Sequence, residues 1–93
     1  MTQGDILIVD DNSTNLFVLR MMLRRLGHEP LEASDGLSGI ALAVEHKPQL
    51  LFMDLRMPGV DGMTAAERIR HALGQDAPPI VAVTPGGSWT DLS

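Results

Sequence analysis

With 93 residues, 44% of them hydrophobic and 20% charged, the chain reads as one small globular domain rather than a disordered segment. A net charge of -5 with a single lysine, Lys47, argues against binding to a phosphate backbone, which needs clustered Lys and Arg. There is no cysteine for disulfide or thiolate chemistry, no apolar run near the ~20 residues that span a bilayer, and no basic-then-apolar leader after Met1, so a soluble, cytoplasmic protein off the membrane is expected.

The first element is Asp5-Ile6-Leu7-Ile8-Val9, a continuous β-branched run that predicts a buried strand and ends on Asp10-Asp11. Asn12 or Ser13 can cap the helix that follows. Its apolar face is predicted at Leu16, Leu19, Met22, Leu23 and Leu26, with Arg20, Arg24 and Arg25 opposite, and Gly27 ends it. His28-Glu29-Pro30-Leu31-Glu32-Ala33 reads as an edge strand, because Pro30 cannot donate to a ladder. Asp35 offers the next cap, Leu37, Ile40, Ala41 and Val44 the next apolar face, and Lys47-Pro48 the stop.

Leu50-Leu51-Phe52-Met53 is the most apolar strand and stops at Asp54, followed at once by the turn-rich Met57-Pro58-Gly59-Val60-Asp61-Gly62. Thr64-Ala65-Ala66-Glu67 fits a capping box with Thr64 as cap, and Ala66, Ile69 and Leu73 supply a third helical face closed by Gly74. Asp76-Ala77-Pro78-Pro79 is a turn, and Ile80-Val81-Ala82-Val83 a fourth strand ending at Thr84. Residues 85–93 show neither period. Strands alternating with helices predict an α/β fold with an open, doubly wound parallel sheet.

Asp10, Asp11 and Asp54 fall at the carboxyl ends of two predicted central strands, the edge where open α/β sheets bind ligands. Alone, Asp10-Asp11-Asn12 equally suits a plain helix cap. Gathered in one crevice with Asp54, three carboxylates repel unless a cation neutralises them, and all-oxygen donors suit Mg²⁺. Thr84 would end the next strand at the same rim. A metal, a carboxylate nucleophile and a hydroxyl together suit phosphoryl transfer through an acyl phosphate on Asp54.

Ile6-Leu7-Ile8-Val9-Asp10-Asp11-Asn12, Leu51-Phe52-Met53-Asp54-Leu55-Arg56-Met57-Pro58-Gly59-Val60-Asp61-Gly62 and Ile80-Val81-Ala82-Val83-Thr84 resemble the three signature segments of receiver domains in two-component response regulators and hybrid histidine kinases. The resemblance runs over residues 5–84 and implies a flavodoxin-like fold. It implies that Asp54 accepts a phosphoryl group from a histidine kinase or a histidine phosphotransfer protein in a phosphorelay. It implies Mg²⁺ held by Asp11, Asp54 and the Arg56 backbone carbonyl, with Asp10 acting through a water. Thr84 would be the switch hydroxyl, and Met57-Pro58 would shape the adjoining loop. Such a module promotes its own phosphorylation and dephosphorylation and is not an enzyme acting on a separate substrate.

The sequence departs from that family after Thr84. The residue there is Pro85 where a small one is usual, and the family's fourth helix, lysine-ended fifth strand and fifth helix are not found. The expectation is therefore strand order 2-1-3-4 with the fifth strand and last helices missing. Residues 1–84 would form an incomplete receiver domain and 85–93 an irregular polar tail, with Trp89 either ballast or a plug. Lys47 lies just before the Asp54 strand begins, four to six strand residues or roughly 15–20 Å from Asp54, and cannot stand in for the family's lysine. Losing that charge-assisted contact removes roughly 1.5–3 kcal/mol. Metal binding would survive and phosphorylation would be impaired, which keeps an alternative open, a protein-interaction module without phosphotransfer. A Mg²⁺-dependent phosphatase fits worse, because Asp10-Asp11-Asn12 lacks an Asp-x-Asp nucleophile motif. The unpaired edge of Ile80-Val81-Ala82-Val83 would also promote a homodimer. His28, His46 and His71 have no ligand spacing, and His46 and His71 suit helix carboxyl ends.

Overall fold

The computed structural model describes residues 5–83 and, as backbone, residues 89–91. Thr84, Pro85 and the rest of the 84–88 segment lie outside the described residues, as does the side chain of Trp89. In chain order the elements are β1 (Ile6–Val9), α1 (Ser13–Arg25), β2 (Leu31–Ala33), α2 (Gly36–His46), β3 (Leu50–Asp54), α3 (Gly62–Leu73), a 3₁₀ turn (Gly74–Asp76), β4 (Ile80–Val83) and β5 (Trp89–Asp91). They build one sheet in the order β2-β1-β3-β4-β5, with the first four strands parallel and β5 antiparallel to β4.

Alternation along the strands divides the core into two layers. Leu7, Val9, Leu51, Met53 and Ile80 face α2 and α3, where Ala43, Ala65, Ala66 and Ile69 meet them. Ile6 and Ile8 face the other way, onto Leu16 and Leu23 of α1, with Leu50 and Phe52 alongside. Leu7, Ile8, Leu51, Met53, Ile69 and Ile80 are fully buried. Each contributes roughly 1.5–3 kcal/mol over an exposed position. The Arg20–Glu32 pair that ties α1 to β2 is close, at 2.7 Å, but partly exposed and worth about 0–1 kcal/mol. Strand burial, not surface pairing, therefore fixes the position of the β1 and β3 ends.

Several expectations need correction. Asp61, not Thr64, caps α3: its side chain accepts from the Thr64 N–H at 2.8 Å. In α2 the buried residues are Gly36, Gly39 and Ala43; of the predicted face Ile40 packs half-buried against the core, whereas Leu37, Ala41 and Val44 are exposed. The cause is close approach: a Cβ on Gly39 would stand 2.9 Å from Val9 Cγ2, so only a glycine lets the helix lie this near β1. In α1, Leu16 and Leu23 are buried as expected, whereas Met22 and Leu26 are exposed.

The tail also differs. Residues 89–91 are not irregular: they form β5, with Val81 opposite Asp91, Ala82 opposite Thr90 and Val83 opposite Trp89. The edge of β4, expected to be open to a second chain, is paired within the molecule. Its row of N–H and C=O groups is the physical reason, since even three residues of extended chain satisfy it.

Candidate functional site

β1 and β3 are neighbours in register, Val9 beside Met53, so the residues that follow them emerge side by side. Asp10 is nine-tenths or more buried. Its N–H donates to the Ala33 carbonyl at 3.0 Å, which extends the β1 pairing with β2 by one residue and holds Asp10 rigidly. Its Oδ1 accepts from the Asn12 N–H at 2.9 Å. Asn12 in turn caps α1, its side-chain oxygen accepting from the Thr14 and Asn15 N–H groups at 2.8 and 3.1 Å. The link from β1 to α1 is thereby locked around Asp11, which is exposed at the mouth of the crevice.

Asp54 is the last residue of β3, opposite Val83 of β4, and is almost as buried as Asp10. The Arg56 N–H donates to its Oδ1 at 3.1 Å. Ligand-grade oxygens of Asp10, Asp11 and Asp54 all lie within 4.8 Å of one another. Burial pushes the Asp54 carboxyl up to about 6, the Arg56 N–H opposes the rise, and the adjoining Asp10 and Asp11 carboxylates add to it. A carboxyl with so raised a pKa, crowded by two more, marks a place where negative charge lacks compensation. Three convergent oxygen donors without nitrogen or sulfur fit a hard divalent ion such as Mg²⁺.

The structure brings together Asp10, Asp11, Asp54 and the Arg56 backbone. Met57 is buried in the α2–α3 layer and anchors the loop from beneath, while Pro58 is exposed at its tip. Thr84 lies outside the described residues, although Val83 before it is paired with Asp54. Lys47 is away from the site: it ends α2 ahead of β3 in a left-handed conformation and reaches Asp76 at 3.8 Å. Sequence reasoning overlooked Gly62, read there as turn chemistry only. Its N–H donates to the Leu55 carbonyl at 3.2 Å, which closes the loop from β3 back onto α3. The available signal was the repeated Asp-Gly pair, Asp35-Gly36 and Asp61-Gly62, each at a helix start.

Comparison with known proteins agrees with this geometry. Protein PilH of Pseudomonas aeruginosa is 40% identical over 86 residues, covering 92% of this chain and 71% of PilH. The polar-differentiation response regulator DivK of Brucella anthropi is 32% identical over 85% of this chain, which spans 64% of DivK. The receiver domain of the sensor histidine kinase PA1611 from Pseudomonas aeruginosa, solved with a magnesium ion coordinated in its active-site cleft, superposes with a TM-score of 0.82 at 33% identity, over 91% of this chain and 70% of that one. The sheet order of β1 to β4 and the three flanking helices are those of the flavodoxin-like fold of CheY-type receivers. Within that fold Asp10, Asp11 and Asp54 occupy the carboxyl rim, and the family model for the response regulator receiver domain matches residues 6–92, so the chain belongs to the response regulator receiver domains of two-component signalling.

Proposed function

We propose that the chain is a phosphoacceptor in a phosphorelay, taking a phosphoryl group onto Asp54 from the phosphohistidine of a histidine kinase or histidine phosphotransfer protein, with Mg²⁺ as cofactor. The observation that carries this reading is the convergence of three carboxylates within 4.8 Å at the ends of β1 and β3. Asp11, Asp54 and the Arg56 carbonyl would hold the ion and Asp10 would act through a water. When bound, the ion supplies positive charge against the phosphoryl oxygens. Asp54 is ionised at neutral pH, since its raised value of about 6 still lies below 7.

An Asp54 carboxylate oxygen attacks phosphorus in line, the P–N bond to the donor imidazole breaks, and the imidazole nitrogen keeps the electron pair and takes a proton. The product is an acyl phosphate on Asp54 and a neutral histidine on the partner. The Arg56 N–H on Asp54 Oδ1 orients the nucleophile. Burial of Asp54 keeps bulk water from the acyl phosphate. Thr84, the next residue in sequence after Val83, is the proposed switch hydroxyl. The module acts stoichiometrically in the cytoplasm, where it meets its kinase. No helix among the described residues is long and apolar enough to cross a membrane.

One observation favours the second reading, a module that docks a partner without accepting phosphate: the sequence has one lysine, Lys47, and it faces Asp76 rather than the acidic cluster. Incubation with acetyl phosphate and Mg²⁺, followed by intact-mass analysis, separates the two. The phosphoacceptor reading expects a hydroxylamine-labile mass increase that EDTA or Asp54→Asn abolishes. No incorporation into the wild-type chain, with partner binding retained, would leave the docking module.

A further inference from the structure

Two Asp-Gly pairs close on the loop that leaves the site. Asp35 caps α2 and Gly36 is its first residue; Asp61 caps α3 and Gly62 is its first residue. Both glycines are buried; Gly62 meets only backbone, and Gly36 meets the Val60 carbonyl oxygen with the Val60 side chain behind it. A Cβ on Gly62 would stand 2.2 Å from the Asp54 carbonyl oxygen and 2.7 Å from the Leu55 Cα. A Cβ on Gly36 would stand 2.4 Å from the Val60 carbonyl oxygen and 3.0 Å from the Val60 Cβ. Neither position has a positive φ, so the requirement is for space rather than for an unusual backbone.

A backbone oxygen cannot rotate aside as a side chain can. Any residue other than glycine at position 62 must push either the start of α3 or the Asp54–Leu55 peptide by about 1 Å to reach ordinary contact. The loop between these two pins carries Arg56, whose N–H lies on Asp54 Oδ1, and a third pin, Met57, holds it from the core. Moving the peptide on either side of Arg56 therefore moves the Asp54 carboxylate relative to Asp10, which is held independently by Ala33 and Asn12. Metal sites tolerate only a few tenths of an ångström in ligand position, and a misplacement of about 1 Å at a reacting group costs on the order of 10²-fold.

We propose that Gly36 and Gly62 are positioning residues of the acidic site: they let the first turns of α2 and α3 close directly on the β3–α3 loop and so fix the Arg56 peptide against Asp54. The proposal rests on the Mg²⁺-dependent phosphoacceptor reading, and its test keeps the two apart. Mg²⁺ affinity is measured by calorimetry, and the Arg56 amide proton is followed by NMR, on the full chain well below its melting temperature. The variants are Gly62→Ala, Gly36→Ala, Val60→Ala, which trims the half-buried side chain against Gly36, and Ile69→Val, which thins the core while leaving the Gly36 and Gly62 contacts intact.

Gly62→Ala is expected to weaken Mg²⁺ binding by at least about tenfold and to move the Arg56 amide upfield. Gly36→Ala and Val60→Ala are expected to weaken it by about two- to fivefold. Ile69→Val is expected to melt earlier with unchanged affinity. A folded Gly62→Ala that binds within about twofold of wild type overturns the proposal while the site reading stands. Should Gly62→Ala fail to fold, unchanged affinity in Val60→Ala overturns it. An effect confined to Gly62→Ala overturns the assignment of Gly36. A wild-type chain that takes up no Mg²⁺ at millimolar concentration removes the site reading and this proposal together.

Discussion

Asp54 is held in two conflicting roles. It ends a strand buried on both faces, which disfavours its charge, and it stands beside Asp10 and Asp11, which disfavours it further. Its pKa rises from an ordinary 3.8 to about 6, so between those values the folded chain binds more protons than the unfolded one. Stability from this group is therefore fully present below pH 4, is lost as pH rises through 6, and is absent at neutral pH. The metal-free wild type should lose stability against Asp54→Asn across that window, by at most about 3 kcal/mol. Chemical denaturation of both chains in EDTA from pH 4 to 8 measures it, and parallel curves would show that Asp54 is not strained. Adding Mg²⁺ at pH 7.5 should then stabilise the wild type alone, by about 1.4 kcal/mol at ten times the dissociation constant. Instability of the apo site and affinity for a cation have the same electrostatic cause.

At the scale of elements, the ends of the helices matter more to the site than their middles. Asn12 links the two: its side chain caps α1 while its backbone N–H fixes Asp10. Asn12→Ala removes the first and keeps the second, so it should cost about 1 kcal/mol in thermal or denaturant unfolding while Mg²⁺ affinity stays unchanged. A change in affinity would mean that α1 itself positions the acidic pair. The strands and the acidic ends of β1 and β3 were legible in the sequence because a strand buried on both faces leaves an unbroken apolar run with an abrupt polar stop. The α2 face was legible only at Ile40, because the rest is built from Gly36, Gly39 and Ala43, residues with little hydrophobic signal whose value is that they are small. The α3 cap was misread for a related reason: Thr64-Ala65-Ala66-Glu67 has the letters of a capping box, but burial of Gly62 against Asp54 starts the helix earlier and hands the role to Asp61. Close backbone approach is a tertiary fact, and a one-dimensional pattern carries it only as an unexplained glycine.

At the scale of the whole molecule the sheet is covered unevenly and its edges are short. Two helices lie on the α2–α3 face and α1 on the other, where Phe17, Val18, Met21, Met22 and Leu26 remain exposed. The outer strands, β2 and β5, have only three residues each, a length that blunts pairing with other chains. β4 is different: Ile80–Val83 is four apolar residues, and its free side would be a template for another strand without β5. The three residues of β5 had no strand period to announce them; the unpaired edge recruits them.

That pairing sets the expected association behaviour. The full chain should sediment without dimerising through β4, and a chain ending at Val83 should self-associate with rising concentration in sedimentation velocity. Amide exchange should show protection at Ala82 lost in the dilute shortened chain and regained as it associates: Pro79 faces β3, Val81 two strand positions on faces the same way, and the Ala82 N–H between Val81 and Val83 therefore faces β5. A shortened chain that stays monomeric at high concentration would mean that β5 is not what shields β4. If the shortened chain also keeps its Mg²⁺ affinity, the acidic site depends on β1, β3 and the loop that follows Asp54 alone, and the antiparallel strand serves solubility rather than chemistry.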